Sequence, residues 1–280
     1  MEVKNRMPKN LSAWERVEIA RNSNRKTALD YIEKIFDEFI ELQGDRLYGE
    51  DASIVCGLAR LKNQNVTIIA EQKGRNTKEN MKRNFGMPNP EGYRKAIRMM
   101  KQAEKFGRPI ITFVDTKGAY PGIGAEERGQ GEAIAKSMFE MSKLQVPIIA
   151  IVIGEGSSGG ALAISIANKI YMLENAIYSI LSPEGYASIL WKDSSRAKEA
   201  AEKMKLTAKD LYDFKIIDTI IKENTSDEVN EEEFEKIAQN IQEEMVKDLT
   251  KLEKMSKEEI LEDRYRKFRN IGEYKTIKSE

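Results

Sequence analysis

An alternation of short apolar segments with amphipathic segments, between residues 91 and 221, restricts the fold of this chain more than any other feature. Strands that alternate with helices favour a parallel α/β sheet with right-handed crossovers. The predicted strands are 110–114, 147–153, 170–173 and 216–221, and the predicted helices are 91–106, 126–144, 160–168, 184–190, 196–204 and 207–213.

The N-terminal part of the chain predicts a helical region followed by a hairpin. Residues 11–43 carry apolar side chains at helical spacing, with Thr27 as an N-cap. Residues 53–61 and 65–71 are rich in strand-forming residues and are separated by a short polar turn, which is typical of a β-hairpin. The segment over residues 74–90 is too long to be a simple turn. Because loops of that length are often functional, we expect a functional loop there.

The C-terminal part differs, because one apolar stripe runs through densely charged sequence. The stripe consists of Phe234, Ile237, Ile241, Met245, Leu249 and Leu252. Ser256 and Glu259 form a capping-box pattern that begins a second helix. Two interpretations stay open: a helix packed on its own domain, or a helical arm that docks a partner. We predict a helical extension over 1–46, an α/β core over 47–225 and a charged helical arm over 226–280.

The chain contains no histidine and a single cysteine, Cys56. Histidine-dependent nucleophilic catalysis and histidine metal sites are therefore excluded, as are an internal disulfide and a cysteine zinc site. Cys56 lies in an apolar run, and we expect it to be a buried structural thiol.

The overall charge and hydropathy favour no nucleic-acid or membrane partner. The 46 basic residues balance the 46 acidic residues. No apolar run approaches the ~20 residues that span a bilayer, and the first ten residues lack the apolar core of a signal peptide. We therefore expect a cytoplasmic protein.

Two glycine-rich loops are the strongest candidates for a functional site. The first covers residues 115–124 and the second covers 154–161, and each follows an apolar strand and precedes a helix. Because the carboxyl ends of parallel strands meet at one edge of a sheet, we expect the loops to lie together. Their backbone N–H groups suit a developing negative charge, so the sequence predicts an oxyanion site.

Other interpretations of these loops stay open. Residues 154–159 match the dinucleotide fingerprint Gly-x-Gly-x-x-Gly, although Glu174 follows too early to be its acidic residue. Both loops are also compatible with simple tight turns. Ser157 or Ser158 is a possible nucleophile, but its base would have to be a lysine or a carboxylate.

These loops and several other strings resemble the alpha subunit of bacterial acetyl-CoA carboxylase carboxyltransferase. The resemblance extends from about residue 12 to about residue 222. It depends on strings at residues 72–75 (QKGR), 84–88 (NFGMP), 90–96 (PEGYRKA), 115–130, 154–163 and 182–185 (SPEG).

The resemblance implies a crotonase-like fold of repeated β-β-α units for the core, with helical N-terminal and C-terminal extensions. It implies transfer of a carboxyl group from carboxybiotin, held on a carrier protein, to acetyl-CoA, which gives malonyl-CoA for fatty acid biosynthesis. It also implies three partners: a zinc-ribbon beta subunit in an α2β2 assembly, the biotin carboxyl carrier protein and biotin carboxylase. Since the zinc belongs to the beta subunit, no metal is expected in this chain.

The resemblance also assigns site residues. The family's oxyanion positions fall on Gly118, Ala119, Gly159 and Gly160, whose backbone N–H groups would hold the ureido oxygen of biotin. Residues implied to contact carboxybiotin are Lys117, Tyr120, Pro121, Gly122, Gly156, Ser157 and Ser158. A second oxyanion hole, for the acetyl-CoA enolate, is expected largely from the beta subunit.

Four positions depart from the family pattern. Lys117 stands where proline is usual, Ser157 stands where glycine is common, and Gln43 and Glu71 stand where histidine often appears. None of these changes removes a backbone N–H donor, so the implied chemistry is retained.

Several charged residues are weaker candidates. For Arg94, Lys95 and Arg128, a solvated helix face is the simpler interpretation. A stand-alone acyl-CoA hydratase or isomerase would need Glu126 or Glu127 as its base, whereas in a carboxyltransferase these are helix-start carboxylates. A third alternative is a non-catalytic assembly subunit.

Overall fold

The computed structural model describes residues 11–223 and 230–272, and one mixed eight-stranded sheet organises this part of the chain. The strand order is β1-β2-β3-β4-β5-β6-β8, and β7 pairs with the end of β5. The pairings among β1, β2 and β3 are antiparallel, and those that follow are parallel. The strands are β1 (Glu38–Glu41), β2 (Ile54–Leu61), β3 (Gln64–Glu71), β4 (Ile110–Thr116), β5 (Ile148–Ser157), β6 (Lys169–Leu173), β7 (Ile177–Ser179) and β8 (Thr219–Ile221).

Twelve α-helices lie before, between and after these strands in the described residues. They are α1 (Ala13–Ala20), α2 (Ala28–Ile35), α3 (Thr77–Lys82), α4 (Pro90–Lys105), α5 (Ile123–Glu127), α6 (Gln130–Lys143), α7 (Ser158–Leu162), α8 (Pro183–Trp191), α9 (Ala197–Met204), α10 (Ala208–Asp213), α11 (Glu231–Leu252) and α12 (Lys257–Arg269). None of these helices combines the length and apolar character needed to cross a membrane.

The strands β4 and β5 form the centre of the core. Every residue of both strands is buried, which is the pattern of parallel strands covered on both faces. The predictions of a parallel α/β sheet and of a β2–β3 hairpin are confirmed. Cys56 in β2 is buried and free, as expected.

The predicted helical region over residues 11–43 is wrong in two places. The chain leaves the helical conformation between α1 and α2, where the side chain of Asn22 accepts a hydrogen bond from the Asn24 N–H and competes with the helix ladder. Residues 38–41 form strand β1 rather than a helix, because the edge of β2 offers them backbone hydrogen bonds. The N-cap prediction at Thr27 is confirmed, since Thr27 and Asp30 form a capping box.

Three further predicted elements have different bounds. The helix expected over 126–144 is two helices, α5 and α6, because Gly129 has a φ of 83° and interrupts the ladder. The helix expected over 160–168 ends at Leu162, and the strand expected over 216–221 begins only at Thr219.

The C-terminal apolar stripe packs on this chain's own core. The α11 side chains that join the main core cluster include Phe234, Ile237, Ile241, Met245 and Leu249. The ring of Phe234 lies 5.1 Å from that of Tyr31 in α2. Ser256 caps α12 as predicted. The division into three regions stays a prediction, and its boundary at 225 and 226 lies outside the described residues.

Candidate active site

The two glycine-rich loops leave neighbouring parallel strands at the same edge of the sheet. Thr116, at the end of β4, is in register with Gly156, near the end of β5. The first loop continues from Thr116 to α5, and the second passes directly from Ser157 into α7. The prediction that the loops lie together is confirmed.

The loops touch at Gly160. A Cβ atom added to Gly160 would lie 2.8 Å from the Ala119 nitrogen and 2.9 Å from the Gly118 carbonyl carbon. These distances are too short for a side chain, so glycine at position 160 permits the close approach of the two backbones. Gly118 has a φ of 131°, which favours glycine as well.

The backbone N–H groups of the first loop have different partners. Gly118 donates to the hydroxyl of Thr116 at 3.0 Å, so this predicted oxyanion donor is engaged within its own loop. Tyr120 donates to the Pro88 carbonyl at 2.9 Å. The Ala119 N–H has no acceptor among the described residues. Of the two predicted donors in this loop, Ala119 is therefore the one available to a ligand.

The second loop supplies Gly159 and Gly160 from the first turn of α7. The first N–H groups of a helix have no acceptor inside the helix. Gly159 is half-buried and Gly160 is buried against Ala119. The N–H groups of Ala119, Gly159 and Gly160 thus lie around one junction, and this arrangement suits a negatively charged oxygen.

The side chain of Tyr93 packs next to Gly160 at this junction. Its hydroxyl lies 3.0 Å from the position of the added Gly160 Cβ, and it has no hydrogen-bond partner among the described residues. The residue is completely buried, and burial raises the pKa of Tyr93 well above its usual range. The hydroxyl is therefore neutral at physiological pH.

The residues predicted to contact carboxybiotin fall into two groups. Gly156 and Ser157 are buried in β5. Lys117, Pro121 and Ser158 are exposed, and Tyr120 and Gly122 are half-buried. The surface of the site therefore contains the second group, while Gly156 and Ser157 position the strand end.

Two cavities border the loops. A polar cavity of about 290 Å³ lies beside the first loop and is lined by Asp115 and Lys117. A larger cavity of about 530 Å³ lies beside Ser158 and Gly159, and its walls include Tyr178 and Ile180. The first cavity is highly charged, whereas the second is mainly apolar.

An ionic network that the sequence did not predict lies behind the first loop. Lys73 contacts Asp115 at 2.5 Å and Glu155 at 3.4 Å. Glu155 also pairs with Arg21 at 2.8 Å. Burial alone would lower the pKa of Lys73, but the two carboxylates outweigh it and raise the pKa, so the lysine is a cation. One feature of the sequence could have indicated this ionic network. Asp115 and Glu155 are carboxylates that each lie near the end of a buried strand.

The prediction of a solvated helix face at Arg94 and Lys95 is wrong. Lys95 is completely buried, pairs with Glu50 and donates to the Asp51 carbonyl at 2.8 Å. Arg94 is mostly buried and contacts Asp45 at 2.8 Å. The charged ends of Arg94 and Lys95 bind to carboxylates and a carbonyl in the loop that precedes β2. Helical periodicity in the sequence does not reveal such partners.

Arg128 is also paired, with Glu91 of α4. Its guanidinium lies over the ring of Tyr48, 4.7 Å from the centroid. Glu126 and Glu127 are exposed on α5. Neither residue lines the cavities beside the glycine loops, so neither carboxylate is placed to abstract a proton from a ligand there.

The alternative interpretations of the second loop find little support in this geometry. Gly154 and Gly156, two of the three fingerprint glycines, lie inside β5 and pack against Asp115 and Tyr178. They do not form the open turn that a dinucleotide pyrophosphate requires. Neither Ser157 nor Ser158 hydrogen-bonds to a lysine or carboxylate within the described residues, so neither hydroxyl has a base.

Comparison of the sequence with known proteins identifies the family of this chain. The family model described as acetyl co-enzyme A carboxylase carboxyltransferase-like matches residues 1–272. The chain belongs to this carboxyltransferase family. A relative from Clostridium acetobutylicum, the acetyl-coenzyme A carboxylase carboxyl transferase subunit alpha, is 57% identical over 264 residues, covering 94% of this chain and 96% of the relative.

A second carboxyltransferase relative joins two subunits in one chain. The subunits beta/alpha protein of Clostridium tetani is 56% identical over 272 residues, covering 97% of this chain and 47% of that protein.

Two solved structures show a similar fold. Transcarboxylase 12S, determined with methylmalonyl-coenzyme A and methylmalonic acid bound, has a TM-score of 0.63 at 20% identity, and the match covers 80% of this chain and 44% of that chain. A Pseudomonas malonate decarboxylase hetero-tetramer has a TM-score of 0.62 at 16% identity, covering 78% and 86%. These likenesses confirm the predicted crotonase-like fold of the carboxyltransferase family.

Proposed function

We propose that this chain is the alpha subunit of an acetyl-CoA carboxylase carboxyltransferase, which transfers the carboxyl group of carboxybiotin to acetyl-CoA and forms malonyl-CoA for fatty acid biosynthesis. The observation that carries the proposal is the junction of the glycine loops, where the Ala119 backbone packs on Gly160 and Gly159 and Gly160 lie in the first turn of α7. The near full-length similarity to named alpha subunits supports the same function.

The residues at this junction fit the ureido oxygen of biotin. A Cβ at position 160 would fill the contact between the loops, so the surface there is formed by backbone. When bound, carboxybiotin supplies the carboxyl group and, after its release, a ureido nitrogen that accepts a proton from the acetyl methyl group. Each N–H donor that holds developing charge on the ureido oxygen is worth about 3 kcal/mol. The chain therefore needs no histidine for its share of the chemistry.

The second part of the proposal concerns partners. The beta/alpha relative supports association with a beta subunit, since both parts occur in one protein there. We propose that a zinc-ribbon beta subunit completes the acetyl-CoA site in an α2β2 assembly in the cytoplasm. Biotin carboxyl carrier protein would deliver carboxybiotin, and biotin carboxylase would regenerate it. Sedimentation of the mixed subunits tests the stoichiometry, and a complex of another composition would refute α2β2.

The decisive experiment measures carboxyl transfer from malonyl-CoA to free biotin. It compares this chain alone, a cognate beta subunit alone and the two mixed. We expect activity only in the mixture. A mixture that forms a complex without transfer activity would contradict the proposal. Hydration of an enoyl-CoA by this chain alone would instead favour the stand-alone hydratase.

A further inference from the structure

The turn that precedes α4 has an unusual backbone. Asn84, Phe85 and Gly86 are three consecutive residues with positive φ, at 49°, 55° and 77°. Glycine adopts this conformation readily and asparagine tolerates it, but a bulky aromatic residue rarely does. The strain is therefore concentrated at Phe85.

The surroundings hold this turn in place. The carboxylate of Asp51 accepts hydrogen bonds from the Asn89 backbone and from the Asn84 side chain. Gly86 packs so closely on Lys73 that an added Cβ would lie 2.7 Å from the lysine Cγ. Strained residues persist where neighbours fix them in this way, and they concentrate at ligand-binding sites.

Packing does not account for an aromatic residue at this position. The side chain of Phe85 is 48% exposed, so the ring gains only part of the free energy that complete burial would supply. Asparagine or glycine would relieve the strain at position 85 and leave the neighbouring hydrogen bonds in place. The strain at this half-exposed ring is therefore not offset by burial of the ring among the described residues.

The ring lies at a cavity that the first glycine loop also borders. Phe85, Asp115 and Lys117 all line the polar cavity of about 290 Å³. Phe85 is the large apolar side chain in this wall, where the other described lining residues are charged, polar or small. The cavity thus offers one apolar surface beside hydrogen-bonding groups and the exposed cation of Lys117.

We propose that Phe85 is a specificity-determining residue that packs against the fused rings of biotin. The inference rests on the proposed function. Biotin joins an apolar thioether ring to a polar ureido ring, and sulfur makes favourable contacts with aromatic rings. The thioether ring would pack on Phe85, while the ureido ring would face the first glycine loop, from which Asp115 and Lys117 line the same cavity. The strained turn therefore keeps the aromatic ring in place before the cofactor arrives.

The test compares Phe85→Asn and Phe85→Leu in the complex with a beta subunit. Asparagine tolerates the left-handed conformation but removes the ring, whereas leucine keeps the strain and the apolar character. With Phe85→Asn we expect the KM for biotin to rise at least about tenfold in malonyl-CoA-dependent transfer. The KM for malonyl-CoA should stay within about twofold, and the unfolding temperature should not fall. Phe85→Leu should give a smaller rise in the biotin KM.

The control variant is Phe106→Asn. Phe106 is an exposed aromatic residue at the C-terminal end of α4, whereas Phe85 precedes the N-terminal end. The Phe106→Asn substitution should leave both KM values unchanged. An unchanged biotin KM in Phe85→Asn would overturn the inference. So would a parallel rise of both KM values with a lower unfolding temperature, because Phe85 would then be a packing residue. Absence of transfer in the wild-type complex would refute the proposed function instead.

Discussion

At the scale of single residues, the site depends on a position without a side chain, Gly160, and on a backbone N–H group that is available to a ligand, that of Ala119. Because residue 160 is glycine, the two loops lie closer together than any side chain would allow. The Ala119 N–H has no acceptor among the described residues. The sequence indicated both loops and all four candidate donors. It did not indicate that the Gly118 N–H is engaged by Thr116, because that bond depends on the path of the folded loop.

Gly160→Ala should separate the loops without unfolding the chain. The added methyl group would lie 2.8 Å from the Ala119 nitrogen, so the backbone has to shift and the donors lose alignment. We expect carboxyl transfer to fall about 100-fold, the effect of losing one oxyanion donor. Gly131→Ala in α6 is the matched control, since its Cβ would meet nothing within 4 Å. Equal activity of the two variants would contradict an oxyanion role for this junction.

Glu71→Gln should change how stability depends on pH. Burial raises the pKa of Glu71 well above its ordinary 4.5. The folded chain then holds a proton that the unfolded chain releases, so this residue's contribution to stability falls as pH rises from 4.5 through the folded-state pKa. Relative to wild type, the neutral variant should therefore become more stable as pH rises above 4.5, until the folded-state pKa of Glu71 is passed. Thermal unfolding at several pH values measures this, and a pH-independent difference would argue against a protonated Glu71.

At the scale of elements, helix α12 is fixed by a buried arginine. Arg264 donates to the carbonyls of Met141 and Leu144 at the end of α6, to that of Val146, and to the side chain of Asn168. Burial lowers the pKa of Arg264 to about 10, so the side chain stays charged at neutral pH. The negative end of the α6 dipole favours a cation at this position.

Arg264→Met should destabilise the chain by about 3 kcal/mol, because several buried acceptors lose their donor. We expect lower stability to urea and faster proteolysis between α11 and α12. Arg266→Met serves as the control, since Arg266 is exposed on the same helix and pairs only with Glu262 among the described residues. Similar stability of both variants would show that Arg264 does not anchor α12.

At the scale of the whole molecule, the C-terminal helices are part of one core. The α11 stripe packs against α2, which carries Tyr31, and against strand β8. The hydroxyl of Tyr171 in β6 donates to Asp248 at 2.8 Å. A chain that ends at Glu223 would expose this surface. We expect it to aggregate or to lose cooperative unfolding, as judged by calorimetry. A soluble truncated chain with a cooperative transition would favour the independent arm over 226–280.

The sequence by itself determined the parallel sheet, the hairpin, the two glycine loops and the family. These features depend on local patterns: apolar runs of strand length, turn residues and ordered motif strings. The tertiary structure decided the rest. Residues 38–41 became a strand because β2 had an open edge, and Lys95 became buried because Glu50 and Asp51 satisfy it. The strain at Phe85 was also hidden, since backbone torsions are fixed by contacts between segments that are distant in sequence.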